Sequence, residues 1–282
     1  MLAEHSGQAR VIAGGTDLVL QLRRGERRAR YLVDVSRIDG LRGISEVDGV
    51  ITIGAATTHA EVCASPLIRE RALVLAQAAA EVGSAEIRNV GTLGGNVVNA
   101  QPAADTALAL LALDAKAEIV RADGARWVGL AALYERPGVS RVDSTVELVR
   151  AFRFRPPAGQ AGSAYRRLGK CKSIALPVLC AATVVRLEGD RFASAAIALG
   201  PVAPRPFRAT AAETWLVNQP VTAEAIAHAA TLAQGEAHPR DSLLRCSRVY
   251  REAMVAVLVQ STLEQAVALA RGSRAFPPKP DL

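Results

Sequence analysis

Two short segments carry the residue types that could do binding chemistry. The first is Val11-Ile12-Ala13-Gly14-Gly15-Thr16-Asp17, an apolar run ending in two glycines, a hydroxyl and a carboxylate. Glycines leave backbone N–H groups open to an approaching anion, and a helix starting after Asp17 adds positive potential. Thr16 offers a hydroxyl donor, and Asp17 a helix cap or a contact to a ribose. A Gly-Gly turn with an ordinary Thr/Asp cap would read the same way. The second segment is Gly91-Thr92-Leu93-Gly94-Gly95-Asn96, continuing through Asn99 to Pro102-Ala103-Ala104-Asp105. Its glycines, amides and hydroxyl make a loop dense in hydrogen-bonding groups, with Asp105 placed to cap the next helix. An irregular connection with an N-cap is the plain alternative. Together, two such loops in adjacent small α/β units predict one extended diphosphate ligand held between them. The chemistry says dinucleotide and does not say which.

Other chemistries find little support. Cys63, Cys171, Cys180 and Cys246 are far apart, with no CxxC, so neither a zinc nor an iron–sulfur site is expected. His5, His59, His228 and His238 are equally scattered and read as structural or exposed. No GxSxG elbow occurs, and the segment from Gly162 to Gly169-Lys170 has the wrong spacing for a phosphate-binding P-loop, with Cys171 where Ser or Thr belongs. No side chain is assigned as a general acid or base, and no metal ligand is expected.

The elements that must position the two loops follow from pattern. The chain has 282 residues, 50% hydrophobic and 4% aromatic, with a net charge of +7. No apolar run reaches the roughly 18 residues of a membrane span, and MLAEHSGQAR lacks a leader's apolar stretch, so a soluble cytoplasmic protein is expected. Arginine carries nearly all the positive charge and is spread along the chain without interleaved aromatics, which argues against nucleic acid. The densest run, Arg23 to Arg30, reads as a solvated loop or a partner-facing surface.

Three zones are expected, at 1–54, 55–157 and 158–282. The first holds a βαβ unit (strand at Val11–Ala13, helix at Leu18–Arg24, strand at Tyr31–Val35) and a hairpin turning at Asp48-Gly49. The second holds helices at Thr58–Ala64 and Glu70–Val82, the glycine-rich stretch, and an Ala/Leu helix ending near Asp114. A hairpin at Asp123-Gly124 and a strand at Val146–Phe154 complete it. Arg155-Pro156-Pro157-Ala158-Gly159 marks a boundary. Beyond it come strands at Ala181–Leu187 and Phe192–Leu199, then helices at Ala209–Val217, Thr222–Gln234 and Cys246–Ala270. In the last helix Tyr250, Met254, Val257 and Leu258 form an expected core stripe. Phe276 to Pro280 reads as a tail.

The pair AGGTDL (Ala13 to Leu18) and RNVGTLGGNVVNAQPAAD (Arg88 to Asp105) resembles the FAD-binding medium subunit of the molybdenum hydroxylases, the xanthine dehydrogenase and carbon monoxide dehydrogenase type. Thr52 to Val62 between the loops, Gly200 to Pro206, Asp241 and Ser247 to Arg251 fit in the same order, so the resemblance spans nearly the whole chain. It implies an α+β fold with two α/β FAD-binding subdomains followed by a C-terminal antiparallel sheet with helices. It implies that Val11, Ile12, Ala13, Gly14, Gly15, Thr16 and Asp17 wrap the diphosphate of FAD through backbone amides. Thr92, Gly94, Gly95 and Asn96 would approach from the second subdomain. Asn99 and Asp105 match positions that bond the ribityl or diphosphate region, and Gly83 matches a backbone contact. Some relatives place a lysine near the position of Leu176, where Lys170 and Lys172 are the nearest here.

The partners implied are a molybdenum-cofactor large subunit and a [2Fe–2S] small subunit, commonly as a dimer of heterotrimers, with NAD or another external electron acceptor. A stand-alone FAD-dependent reductase and a non-catalytic adapter of the same fold are the competing readings.

Overall fold

A computed structural model describes residues 2–170 and 176–273. The chain opens with β1 (Ala9–Ile12), α1 (Leu18–Arg23) and β2 (Tyr31–Asp34). β1 and β2 pair in parallel, from Ala9 opposite Tyr31 to Ile12 opposite Asp34, which is the expected βαβ unit at its smallest. α1 buries none of its residues fully. The unit is instead anchored from its strand side, where the Val11 N–H donates to the Ser144 carbonyl and Val35 and Leu41 pack with Ala56.

Next come β3 (Ile44–Val47), β4 (Val50–Gly54) and six helices: α2 (His59–Ala64), α3 (Pro66–Arg71), α4 (Leu73–Ala80), α5 (Ala85–Val90), α6 (Leu93–Val98) and α7 (Asp105–Ala112). Strands β5 (Lys116–Arg121), β6 (Gly124–Gly129), β7 (Tyr134–Arg136), β8 (Val139–Ser140) and β9 (Glu147–Phe154) follow. β3, β4, β9, β5 and β6 form, in that order, one antiparallel sheet. The Asp48-Gly49 hairpin forms as expected, with positive φ at both residues, as a tight twisted turn requires. Its place differs from the expected division at Gly54. β4 pairs with β9, Ile51 opposite Phe154 and Ile53 opposite Phe152, so the hairpin belongs to the second sheet. Those buried Ile and Phe side chains fill the same core as Leu75, Leu93 and Leu108.

The C-terminal part is a sheet of β10 (Ala161–Leu168), β11 (Leu179–Glu188), β12 (Arg191–Gly200) and β13 (Phe207–Arg208), all antiparallel. It is covered by α8 (Thr210–Leu216) and α10 (Arg248–Ala270), and α9 (Ala223–Glu236) packs against both helices. A second core forms between them around Leu179, Phe192, Leu199, Val259 and Leu263. The α+β architecture of the sequence reading is the one observed.

Several local expectations are corrected. The helix expected over Glu70–Val82 is broken at Ala72 (φ −148°, ψ 54°), because Ser65 caps a separate helix with Pro66 at its start. The glycine-rich stretch folds as α5 and α6, each with a side-chain cap at its N-terminus, from Ser84 and Thr92 respectively. β10 was not anticipated. Its sequence is poor in β-branched residues, and it becomes a strand by pairing along its whole length with β11. Gly162 makes that possible, since a Cβ there would overlap the Ala266 carbonyl of α10.

The stripe in α10 is also rotated. Leu258 is buried, but Tyr250 and Val257 are exposed, and the buried face runs through Arg251, Val255, Val259, Leu263 and Ala266. α10 has the length and composition to cross a membrane. Here that apolar content packs against β10, β11 and α9. The expected tail at Phe276–Pro280 lies outside the described residues.

Candidate functional site

A cleft of about 560 Å³ opens between the β1–α1 unit and the five-stranded sheet. Val11, Ile12, Ala13, Gly14, Gly15, Thr16 and Asp17 form one wall, and Thr92, Gly94, Gly95, Asn96 and Asn99 face them. The third side is the turn and strands from Glu135 to Val149. Three contacts tie the walls together: Arg10 Nη1 to Ser144 Oγ (2.9 Å), Arg27 Nη2 to the Gly138 carbonyl (3.3 Å) and Gln21 Nε2 to Asn99 Oδ1 (3.4 Å).

The two loops do different work. Among the described residues, no protein acceptor takes the N–H groups of Ala13, Gly14, Gly15, Thr16 or Asp17. Five consecutive cleft-lining residues whose N–H groups have no protein acceptor offer donors to an anionic oxygen. α1 has only six residues, so these amides rather than a helix terminus supply the positive character. The second loop spends its donors internally. Gly94 N–H goes to the Ala55 carbonyl, Gly95 N–H to Thr92 Oγ1 and Asn96 N–H to the Thr92 carbonyl. Asn96 Oδ1 accepts from Thr106 Oγ1 (2.9 Å) and the Ala107 N–H (3.2 Å), which ties α6 to α7. This loop is a rigid wall more than a donor set.

The glycines explain how the walls come so close. A Cβ on Gly14 would overlap the Val90 carbonyl, and one on Gly94 would sit 2.8 Å from the Ala55 Cβ and carbonyl. Each therefore marks a backbone-to-backbone contact.

Two expected residues lie elsewhere. Gly83 (φ 51°) does not line the cleft, though its neighbours Val82 and Ile87 do. Asp105 does not line it either. It begins α7 without making a side-chain cap, and its carboxylate turns into a buried cluster between the two cores. Tyr165 Oη donates to Asp105 Oδ1 (2.5 Å), and Arg167 Nη1 lies 3.3 Å from Oδ2. Burial dominates over these partners and raises the Asp105 carboxyl to about 6. Leu176 is exposed, Lys170 Nζ donates to the Leu243 carbonyl, and Lys172 lies outside the described residues.

One residue of the cleft was missed. His59 is buried at the start of α2, lines the cleft, and its Nδ1 has no hydrogen-bond partner. Its backbone N–H donates to the Gly91 carbonyl, so the ring lies against Gly91. Burial, and secondarily the charge of Arg88, pushes it down to about 4, so the imidazole is neutral. The cue was available in Thr58, a residue suited to cap a helix, which sets His59 in the first turn.

Residues 1–154 match the FAD binding domain in molybdopterin dehydrogenase, and residues 163–266 match the CO dehydrogenase flavoprotein C-terminal domain. The chain belongs to this FAD-binding family. It is 32% identical over 267 residues to a xanthine dehydrogenase FAD-binding subunit of Escherichia coli O157:H7, covering 94% of this chain and 91% of that protein. Carbon monoxide dehydrogenase from Hydrogenophaga pseudoflava contains a chain superposing with a TM-score of 0.89 at 29% identity, covering 95% of this chain and 92% of that one. Quinoline 2-oxidoreductase from Pseudomonas putida 86 gives a TM-score of 0.88 at 27% identity with the same coverage. The family's cofactor suits the cleft on its own geometry: residues with open amides, Arg10 and Arg27 without an ion-pair partner among the described residues, and a neutral polar ring line a groove of ligand-sized volume.

Proposed function

We propose that the chain is the electron-transferring flavoprotein subunit of a molybdenum-containing hydroxylase or dehydrogenase complex. Residues 11–17 would hold the diphosphate of FAD, with Thr92, Gly94, Gly95, Asn96 and Asn99 as the opposing wall. Gly83 shapes that wall from behind, and Asp105 stiffens the junction to the C-terminal part. The break between the two parts falls at Pro156-Pro157. Bound FAD supplies a carrier of one or two electrons, which suits single-electron input and two-electron output. The chain's own task is to bind, orient and shield the cofactor. A [2Fe–2S] small subunit delivers the electrons, a molybdenum-cofactor large subunit generates them, and NAD or another acceptor removes them. The assembly is a dimer of heterotrimers in the cytoplasm.

The observation that carries this reading is the unbroken row of free amides at 13–17 on the wall of a ligand-sized cleft. Its support comes from relatives that are subunits of dehydrogenases acting on different substrates. The test is the visible spectrum of the purified chain with identification of the nucleotide released on denaturation. About one FAD per chain is expected, reduced slowly by NADH alone and quickly once partner subunits and substrate are added. Fast turnover by the isolated chain would favour a stand-alone reductase, and no flavin after reconstitution would leave the adapter reading.

A further inference from the structure

We propose that Arg10 and Arg27 form an anion subsite in the cleft that binds a phosphate of the dinucleotide, so that part of the cofactor's affinity is ionic and belongs to these two side chains. The proposal deepens the FAD reading and rests on it.

Arg27 sits in the run that pattern alone assigned to solvent or to a partner. Its neighbours Arg23, Arg24, Arg28 and Arg30 are exposed, but Arg27 is half-buried and lines the cleft, reaching across to the Gly138 carbonyl. Arg10 comes from β1 on the same wall. Its Nη1 donates to Ser144 Oγ, while its Nε is buried with no partner. Among the described residues, neither guanidinium has a carboxylate within 4.0 Å. Two half-buried cations that repel one another are an incomplete arrangement, and burial together with the charge of Arg27 holds Arg10 below the ordinary arginine value.

The nearby acids do not complete it. Asp143 attracts Arg10 from a distance, but its carboxylate accepts from the Thr145 N–H and hydroxyl. Glu147 is engaged by Arg126 Nη2 and the Asp143 N–H. Asp17 and Glu135 also line the cleft without meeting either guanidinium, and Arg141 adds another positive charge on the same side. An anion matching the guanidinium fork is what the site lacks, and phosphate provides it bidentately. Arg10, Arg27 and residues 13–17 line the same cleft, so one diphosphate can be shared between them.

The test uses the full apo-chain and flavin fluorescence to measure FAD affinity at low and high salt. Inorganic pyrophosphate serves as a competitor, and thermal melting reports folding. Arg10→Gln and Arg27→Gln are each expected to weaken FAD about tenfold or more. Each should flatten the salt dependence and reduce competition by pyrophosphate, and Arg27→Lys should recover part of the affinity. Should Arg10→Gln fail to fold, Arg27→Gln alone decides, since Arg27 lies in a surface connection. Unchanged FAD affinity in the folded variants, or a loss that leaves the salt slope and pyrophosphate competition intact, overturns the subsite. If the wild-type chain binds no flavin but binds pyrophosphate through these arginines, the subsite stands and the FAD reading falls.

Discussion

Gly14 and Gly95 stand in the two recognisable loops, yet the structure gives them unequal duties. A Cβ at position 14 meets the Val90 carbonyl, whereas one at position 95 only crowds Thr92 Oγ1 at 3.1 Å. Gly14→Ala is therefore expected to force the loops apart, costing about 1–3 kcal/mol of stability and at least a tenfold loss in FAD affinity. Gly95→Ala should be much milder on both measures. Thermal melts and flavin titration of the pair check this. His59 makes a separate prediction. Its native value near 4 lies below the unfolded value of about 6.5, so the neutral ring favours the fold. That contribution is complete above pH 6.5 and is lost as pH falls towards 4, by about 3 kcal/mol. Urea unfolding across this window should show a flatter pH dependence for His59→Gln than for the wild type.

At the scale of elements, α10 organises the C-terminal part through a buried cation. Arg251 donates to the carbonyls of Val178, Arg240 and Pro201, gathering three loops at one guanidinium with no carboxylate among its hydrogen-bond partners. Ser247 caps the same helix, and the Arg248 N–H donates to Asp241. The Ser247 to Arg251 segment thus has a structural use and does not line the cleft. Replacing Arg251 by Met leaves three carbonyls without their donor, at an expected cost of at least about 3 kcal/mol. A lower denaturation midpoint with an unchanged denaturant slope would show it, with Arg251→Lys recovering only part.

Across the whole molecule, the FAD-binding and C-terminal parts meet where α7 lies against β11 and β12. Asp105, Tyr165 and Arg167 fasten that junction. Because the native Asp105 value near 6 exceeds the unfolded one of about 3.9, the folded state holds a proton longer. Stability from this group therefore falls as pH rises from about 4 to 6, by about 3 kcal/mol in all. Asp105→Asn should remove that fall, so the variant loses less stability than the wild type between pH 4.5 and pH 7. Chemical denaturation at pH 4.5 and 7 separates it from the opposite slope set by His59.

Periodicity and turn chemistry alone placed most of the strands and helices, the Asp48-Gly49 hairpin and the loop at 11–17, because these depend on neighbours a few residues apart. The order of glycines and amides pointed to a dinucleotide, and the resemblance of the two loops to the molybdenum hydroxylase medium subunits supplied the family and its cofactor. Contacts far apart in sequence settled the rest. β10 exists because β11 pairs with it and Gly162 admits α10. Arg251 faces inward because three distant carbonyls await it, which is why the apolar stripe read from Tyr250 was rotated. Asp105 turned away from the cleft because Tyr165 and Arg167 arrive beside it, and Arg27 turned into the cleft because Gly138 lies across from it. Local pattern fixes what a segment can become, while burial and long-range hydrogen bonding choose which way each polar side chain points.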